Sequence, residues 1–149
     1  MHVVLFQPEI PPNTGSIARL CAATLTPLHL IEPLGFEIDD RHLKRAGLDY
    51  WENVKVDIVD NLESLLQARN GHFYFFSSKA SKCYSSVEYT KDDWLIFGSE
   101  TKGLPTWLNE QHPQTFTTIP MQPGCRCLNL ANSCAVAVYE AQRQLTFTL

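Results

Sequence analysis

The chain has 149 residues, the size of one domain, and 44% of them are hydrophobic, enough for a sizeable core. A formal net charge of −4 gives no bulk attraction for nucleic acid, so any such role must rest on local clusters of Lys and Arg. The opening MHVVLFQPEI has no basic start followed by a long apolar run, and no apolar stretch approaches membrane-spanning length, so neither a secretory leader nor a membrane contact is expected.

Five cysteines (Cys21, Cys83, Cys125, Cys127, Cys134) are an odd number without a disulfide spacing. They fit reduced thiols in a cytoplasmic protein. Among the basic residues, Arg41, His42, Lys44 and Arg45 cluster, and Lys79, Lys82, Lys102 and Arg126 fall in loops.

In chain order, HVVLF (2–6) is a short β-branched run and reads as a buried strand. QPEIPPN (7–13) is a loop by its three prolines, and TGSIARLCAAT (14–24) reads as a helix capped by Asn13 or Thr14. Its inward face would hold Ile17, Leu20, Cys21 and Thr24, with Arg19 off that face. A second strand is expected at 28–31 and a loop at 32–40. A charged helical turn follows at 40–46, capped by Asp39 or Asp40. A third strand is expected at 54–59, then a helix at 61–68 with Leu62, Leu65 and Leu66 inward. FYFF (73–76) makes a fourth strand. Residues 77–89 are polar and irregular, with room for a hairpin or flap. A fifth strand is expected at 94–97, a glycine-bounded turn at 98–103, and a short helix opened by Pro105. The sixth strand spans 115–119.

The stretch from Ile119 to Glu140 is the densest in signals. Pro120, Pro123 and Gly124 break regular structure, and Asn129 or Asn132 can cap a helix that is apolar on most sides and should be covered on most sides. A loop rich in main-chain groups at the root of a buried helix suits clasping a small molecule; it equally suits an ordinary connection. Short apolar strands alternating with helices define a mostly parallel α/β sheet flanked by helices, in one domain spanning residues 1–149. Ligands of such sheets sit beyond the carboxyl ends of the strands, so the loops after Phe76, Phe97 and Ile119 are candidates for one shared pocket.

Several chemistries are excluded or disfavoured. Gly98 and Gly103 have the spacing of a phosphate loop, but Leu104 and Pro105 stand where Lys and Ser/Thr are needed. There is no G-x-G-x-x-G and no G-x-S-x-G. Cys125-x-Cys127 lacks the second Cys/His pair of a zinc site, so no metal is expected. Glu100, between the two glycines, can hold a loop through backbone N–H groups or touch a ligand. Arg19 and Arg126 can each bind phosphate or form a surface ion pair.

Three segments, PEIPPNTGSIARLCAAT (8–24), WLIFGSETKGLP (94–105) and IPMQPGCRCLNLANSCAVAVYEA (119–141), together resemble the motifs of the SPOUT superfamily of RNA ribose 2′-O-methyltransferases. The nearest resemblance is to the small stand-alone members that methylate the wobble nucleotide of tRNA, the tRNA (cytidine(34)-2′-O)-methyltransferase type. EPLGF (32–36) and KRAGLDYW (44–51) fit that subgroup, and the resemblance covers essentially the entire chain.

The resemblance implies a C-terminal deep trefoil knot holding S-adenosyl-L-methionine, which leaves as S-adenosyl-L-homocysteine. Phe76, Ser77, Gly98, Gly103, Ile119, Met121, Cys127 and Leu128 would bind this cofactor, with Asn129 and Asn132 shaping the loop. Arg19 would be the catalytic group, positioning the 2′-hydroxyl, with Asn13 and Glu100 fixing it and the loops around it. Arg126 and Tyr139 would contact RNA, here the anticodon stem-loop of tRNA. A homodimer is implied, joined through the start of the last helix and the helix over 14–24. The same chemistry at another RNA site, or a non-catalytic RNA-binding member of the fold, is the alternative. One departure is visible: Cys127 stands where the family usually has serine.

Overall fold

The computed structural model describes residues 1–37 and 54–147. The helical turn expected at 40–46 with its cap, the basic cluster around Arg41 and the KRAGLDYW stretch lie outside the described residues.

Strands β1 (His2–Phe6), β2 (Leu28–Ile31), β3 (Val56–Val59), β4 (Phe73–Phe76), β5 (Trp94–Phe97) and β6 (Phe116–Thr117) form one sheet in the order β3-β2-β1-β5-β4-β6, and every pairing is parallel. Helices α1 (Pro11–Ala23), α2 (Leu62–Ala68), α3 (Trp107–Gln111) and α4 (Leu130–Gln144) cover it. The central strands are continuous apolar runs because both faces are buried. Val3 and Leu5 of β1 face one core with Ile17, Cys21, Cys134, Ala137 and Val138 of α1 and α4. Val4, between them, faces the other core with Leu62, Leu65 and Leu108 of α2 and α3. Two helical layers thus sandwich the sheet. Among the described residues, no helix is long and apolar enough to cross a membrane.

Several elements differ from the sequence reading. Helix α1 begins at Pro11, with Ile10 as its N-cap, so Asn13 and Thr14 lie inside the first turn. Proline at the first helical positions has a preset φ and lacks an N–H that would be orphaned there, so the PP pair opens the helix rather than preceding it. Strand β6 is only two residues long. Beyond it, Thr118 pairs with Cys83, whose segment runs alongside through Thr118 N–H to Lys82 O (2.8 Å) and Tyr84 N–H to Thr118 O (2.9 Å). The irregular segment, read as having room for a hairpin or flap, continues the edge of the sheet at Cys83. Helix α3 starts at Trp107, two residues after Pro105, and Asn129 rather than Asn132 caps α4. Helix α4 is not covered on most sides: Val136 and Tyr139 stay exposed on its outer face.

At the amino end of the sheet, away from the loops after β4 and β5, two histidines lie in contact. His2 stacks on Trp94 with ring centroids 3.9 Å apart, and its Nδ1 is 3.0 Å from Nε2 of the buried His29. His29 Nδ1 faces the Asp57 carboxylate at 3.4 Å. Burial first, and their mutual charge next for His2, lower both rings to about 4. One neutral ring donates to the other; two charged rings would repel. The folded values lie below the unfolded one, so this contribution is complete above pH 6.5 and disappears as pH falls toward 4. Urea unfolding at pH 7 and pH 5 should show a loss of about 2 kcal/mol from His29. His29→Gln, which cannot take up a proton, should flatten that fall.

Candidate functional site

The strand order reverses between β1 and β5: the chain moves outward from β1 through β2 to β3, then returns to the other side of β1. The loops leaving the carboxyl ends of β1 and β5 therefore meet over a crevice, the usual place for a ligand in such a sheet. Glu100, in the loop after β5, joins them. Its carboxylate accepts from Glu9 N–H (2.8 Å), Ile10 N–H (3.3 Å) and Asn13 Nδ2 (2.9 Å). A negative group beside the first turn of α1 also complements that helix's dipole. Thr101 returns a hydroxyl to the Glu9 carboxylate at 2.7–2.8 Å.

Asn13 carries the linkage onward. Its Oδ1 accepts from Asn129 Nδ2 (2.9 Å), while Asn129 Oδ1 accepts from Ala131 N–H (2.9 Å) and Asn132 N–H (3.4 Å) at the start of α4. Three loops distant in sequence are thereby tied by side-chain amides and one carboxylate.

The loop after β5 is closed on itself. Gly103 N–H donates to Ser99 O (3.0 Å), and Ser99 N–H donates back to Gly103 O (3.3 Å). A Cβ on Gly98 would sit 2.2 Å from the Gly103 carbonyl carbon, so no side chain fits there. Gly103 has φ of +71°, which favours glycine.

These loops enclose a cavity of about 600 Å³, within the range of small-molecule sites. Its wall includes all eight residues expected to hold a cofactor: Phe76, Ser77, Gly98, Gly103, Ile119, Met121, Cys127 and Leu128. Asn13, Glu100 and Asn129 also line it. Cys127 Sγ donates to Ser78 Oγ at 3.3 Å, linking the loop before α4 to the one after β4. Lys79 and Lys102 also line the cavity, although the sequence reading took them only as loop residues. Their signal was position: each follows a carboxyl strand end by a few residues. Glu9 was missed because its role is carried mainly by its backbone N–H.

The remaining candidates lie elsewhere. Arg19 is on the exposed side of α1 and does not line the cavity. Asn13 and Glu100 bond each other, with Asn129 on one side and the loop after β1 on the other. Arg126 is exposed in the loop before α4, next to the cavity-lining Cys127, and Tyr139 is 48% exposed on α4. Among the described residues there is no group of three His, Cys, Asp or Glu that could hold a metal.

A parallel α/β sheet with a loop-built cavity at its switch point defines a protein that handles a small molecule at the carboxyl ends of its strands. The profile of the SpoU rRNA Methylase family matches residues 1–139, and the chain belongs to that family. A relative from Geobacillus stearothermophilus is 50% identical over 151 residues, covering 99% of this chain and 96% of its own. One from Methylovorus glucosotrophus, named tRNA (cytidine(34)-2′-O)-methyltransferase, is 48% identical over 97% of this chain and 96% of its own. A solved structure described as giving structural insights into the 2-OH methylation of C/U34 on tRNA superposes with a TM-score of 0.88 at 44% identity, covering 97% of this chain and 95% of that one. The SpoU methyltransferase AviRb from Streptomyces viridochromogenes, solved with AdoMet, shares the fold at TM-score 0.83 and 22% identity, over 98% of this chain and 58% of that one.

The amide and carboxylate linkage can be measured. Glu100→Gln, which sets an NH₂ against the Glu9 N–H if its oxygen keeps Ile10 and Asn13, and Asn129→Ala, which removes both the cap and the bond to Asn13, should each lower stability by about 1–3 kcal/mol. Because both act through Asn13, the double variant in urea unfolding should cost less than their sum. Strict additivity would mean that the three loops are not energetically joined.

Proposed function

We propose that the chain transfers a methyl group from S-adenosyl-L-methionine to the ribose 2′-hydroxyl of the wobble nucleotide of tRNA. The observation that carries this reading is the cavity itself: motifs from three separated segments converge on one pocket at the switch point, in a chain whose close relatives bear that activity in their names.

The residues present fit such a donor. Ile119, Leu128 and Leu104 offer apolar surface for a purine, and the loops at 98–103 and 119–128 offer main-chain groups to its edges. Lys79 and Lys102 supply positive charge for a carboxylate. The bound donor supplies an activated methyl on sulfur. The protein must bring a weakly acidic hydroxyl into line with it and help its proton leave. Glu100 and Asn13 are engaged in hydrogen bonds that hold the pocket's rim, so their role is to position. Arg19 would meet the RNA from the exposed side of α1. A guanidinium stays protonated, so Arg19 would polarise the hydroxyl or clamp an adjoining phosphate rather than act as base. Arg126, beside the cavity, and Tyr139, on the outer face of α4, would meet the nucleic acid as well.

Two further elements belong to the proposal. The segment before α4 touches both the loop after β4 and the start of α1, and those contacts support a tail threaded as a trefoil knot. The exposed Leu128, Val136 and Tyr139 support a homodimer through α4, gathering basic loops of two copies around one anticodon stem-loop. Sedimentation at micromolar concentration should give a dimer. Five free thiols and a tRNA substrate fit the cytoplasm.

Incubation with labelled donor and unmethylated tRNA, followed by mapping of the modified nucleotide, should place the methyl on the wobble ribose. Arg19→Ala should lower turnover by about a hundredfold or more while leaving donor affinity within about threefold. Full turnover by that variant would remove Arg19 from the chemistry.

A further inference from the structure

The methyl-transfer reading leaves a second hollow unused. It measures about 400 Å³, lies against the main cavity, and shares Ser78, Thr118, Ile119, Met121 and Cys127 with it. Three of its lining residues carry sulfur: Met121, Cys125 and Cys127. Gln122 to Cys125 form a turn closed by Cys125 N–H to Gln122 O (3.2 Å), with Pro123 second and Gly124 third at φ +81°. That is the pattern of a type II turn, which reverses the chain between Met121 and Cys125. Cys125 and Cys127 are both free and exposed and are two residues apart, so their Cα atoms are at most about 7 Å apart. Both line the same hollow.

We propose that Met121, Cys125 and Cys127 form a binding site for a soft monovalent cation, Cu(I). Two thiolates and a thioether are the donor set that selects this ion. Zinc is disfavoured because its structural sites close with four ligands, and no further His or Cys lines the hollow. Binding exchanges two thiol protons for one cation, with no change of oxidation state. Of the other thiols, Cys21 and Cys134 are buried, and burial pushes both up, Cys21 to about 12. Cys83 is half-exposed, and its hydrogen bond to Ser85 Oγ (3.1 Å) lowers its thiol, but it lines neither hollow and so stands apart from the other two sulfurs.

The site has a consequence for the main cavity, which rests on reading that cavity as the donor's. Met121 and Cys127 line both spaces, so an ion drawing them together would work against the methyl donor. By linkage the antagonism is reciprocal.

The test uses the full chain under anaerobic reducing conditions, with Cu(I) offered as its bicinchoninate complex and followed by loss of that complex's absorbance. The protein should withdraw about one equivalent. Cys125→Ser and Cys127→Ser should each weaken uptake by about a hundredfold, Met121→Leu by about tenfold, and Cys83→Ser not at all. No withdrawal, or withdrawal undiminished in Cys125→Ser, overturns the site whatever the protein's enzymatic activity. Calorimetry with S-adenosylhomocysteine then addresses the coupling: affinity should fall by about tenfold in the copper-loaded wild type and stay unchanged by copper in Cys125→Ser, whose side chain lies outside the main cavity. Equal affinity with and without copper overturns the coupling and leaves the metal site standing.

Discussion

One carboxylate and two amides hold the working end of this protein together. Glu100 gathers two backbone N–H groups and Asn13, Asn13 gathers Asn129, and Asn129 caps α4. Each bond is worth only about 1 kcal/mol net, more where a charge is involved. Their effect exceeds that sum because they join parts of the chain 87 to 116 residues apart. Loops otherwise free to move against each other become one rim, and a pocket lined by main-chain groups needs a fixed rim to be selective.

The linkage is possible because of sheet order. Placing β5 beside β1 puts the loop with Glu100 next to the loop entering α1. The packing of α4 against α1, with Cys134, Ala137 and Val138 beside Ile17 and Cys21, then brings Asn129 over Asn13. Small residues on the inner side of α4 let the two helices approach closely. The apolar layers therefore set the polar rim, and the rim in turn tethers the root of α4. Cys127 joins this wall through one contact, its sulfur donating to Ser78 Oγ at 3.3 Å, a weaker bond than a hydroxyl would make there.

Much of this could be read from residues alone. The strands at 2–6, 28–31, 73–76 and 94–97 are bounded as their apolar runs are, because strands buried on both faces carry an unbroken signal. β3 and β6, each shorter than the run expected from its residues, sit at the sheet's two edges. Strand order was not legible, since local pattern says nothing of which neighbour a strand pairs with. The start of α1 was misplaced because prolines signal both a loop and a first helical turn. The shared pocket of the loops after Phe76, Phe97 and Ile119 followed from the parallel-sheet pattern, whereas the part of the segment at 8–24 was legible only through family resemblance; Glu100 alone left its two roles open. The contact of His2 with His29 could not be foreseen, as it depends on the register of β1 against β2 and β5.

Charge shows how the pocket and its proposed substrate can be reconciled. The chain is acidic overall, yet the charged residues on the cavity wall are Glu100, Lys79 and Lys102. Glu100 has its carboxylate turned toward the N–H groups of the β1 loop, which neutralise much of its field. The two lysines are exposed, with Arg126 on the adjoining loop. Screening in physiological salt limits distant surface acids to about 8 Å of influence, so a polyanion at the cavity mouth senses the nearby cations more than the net charge. Local arrangement, not composition, is what would permit an acidic chain to meet the proposed RNA substrate at this cavity mouth.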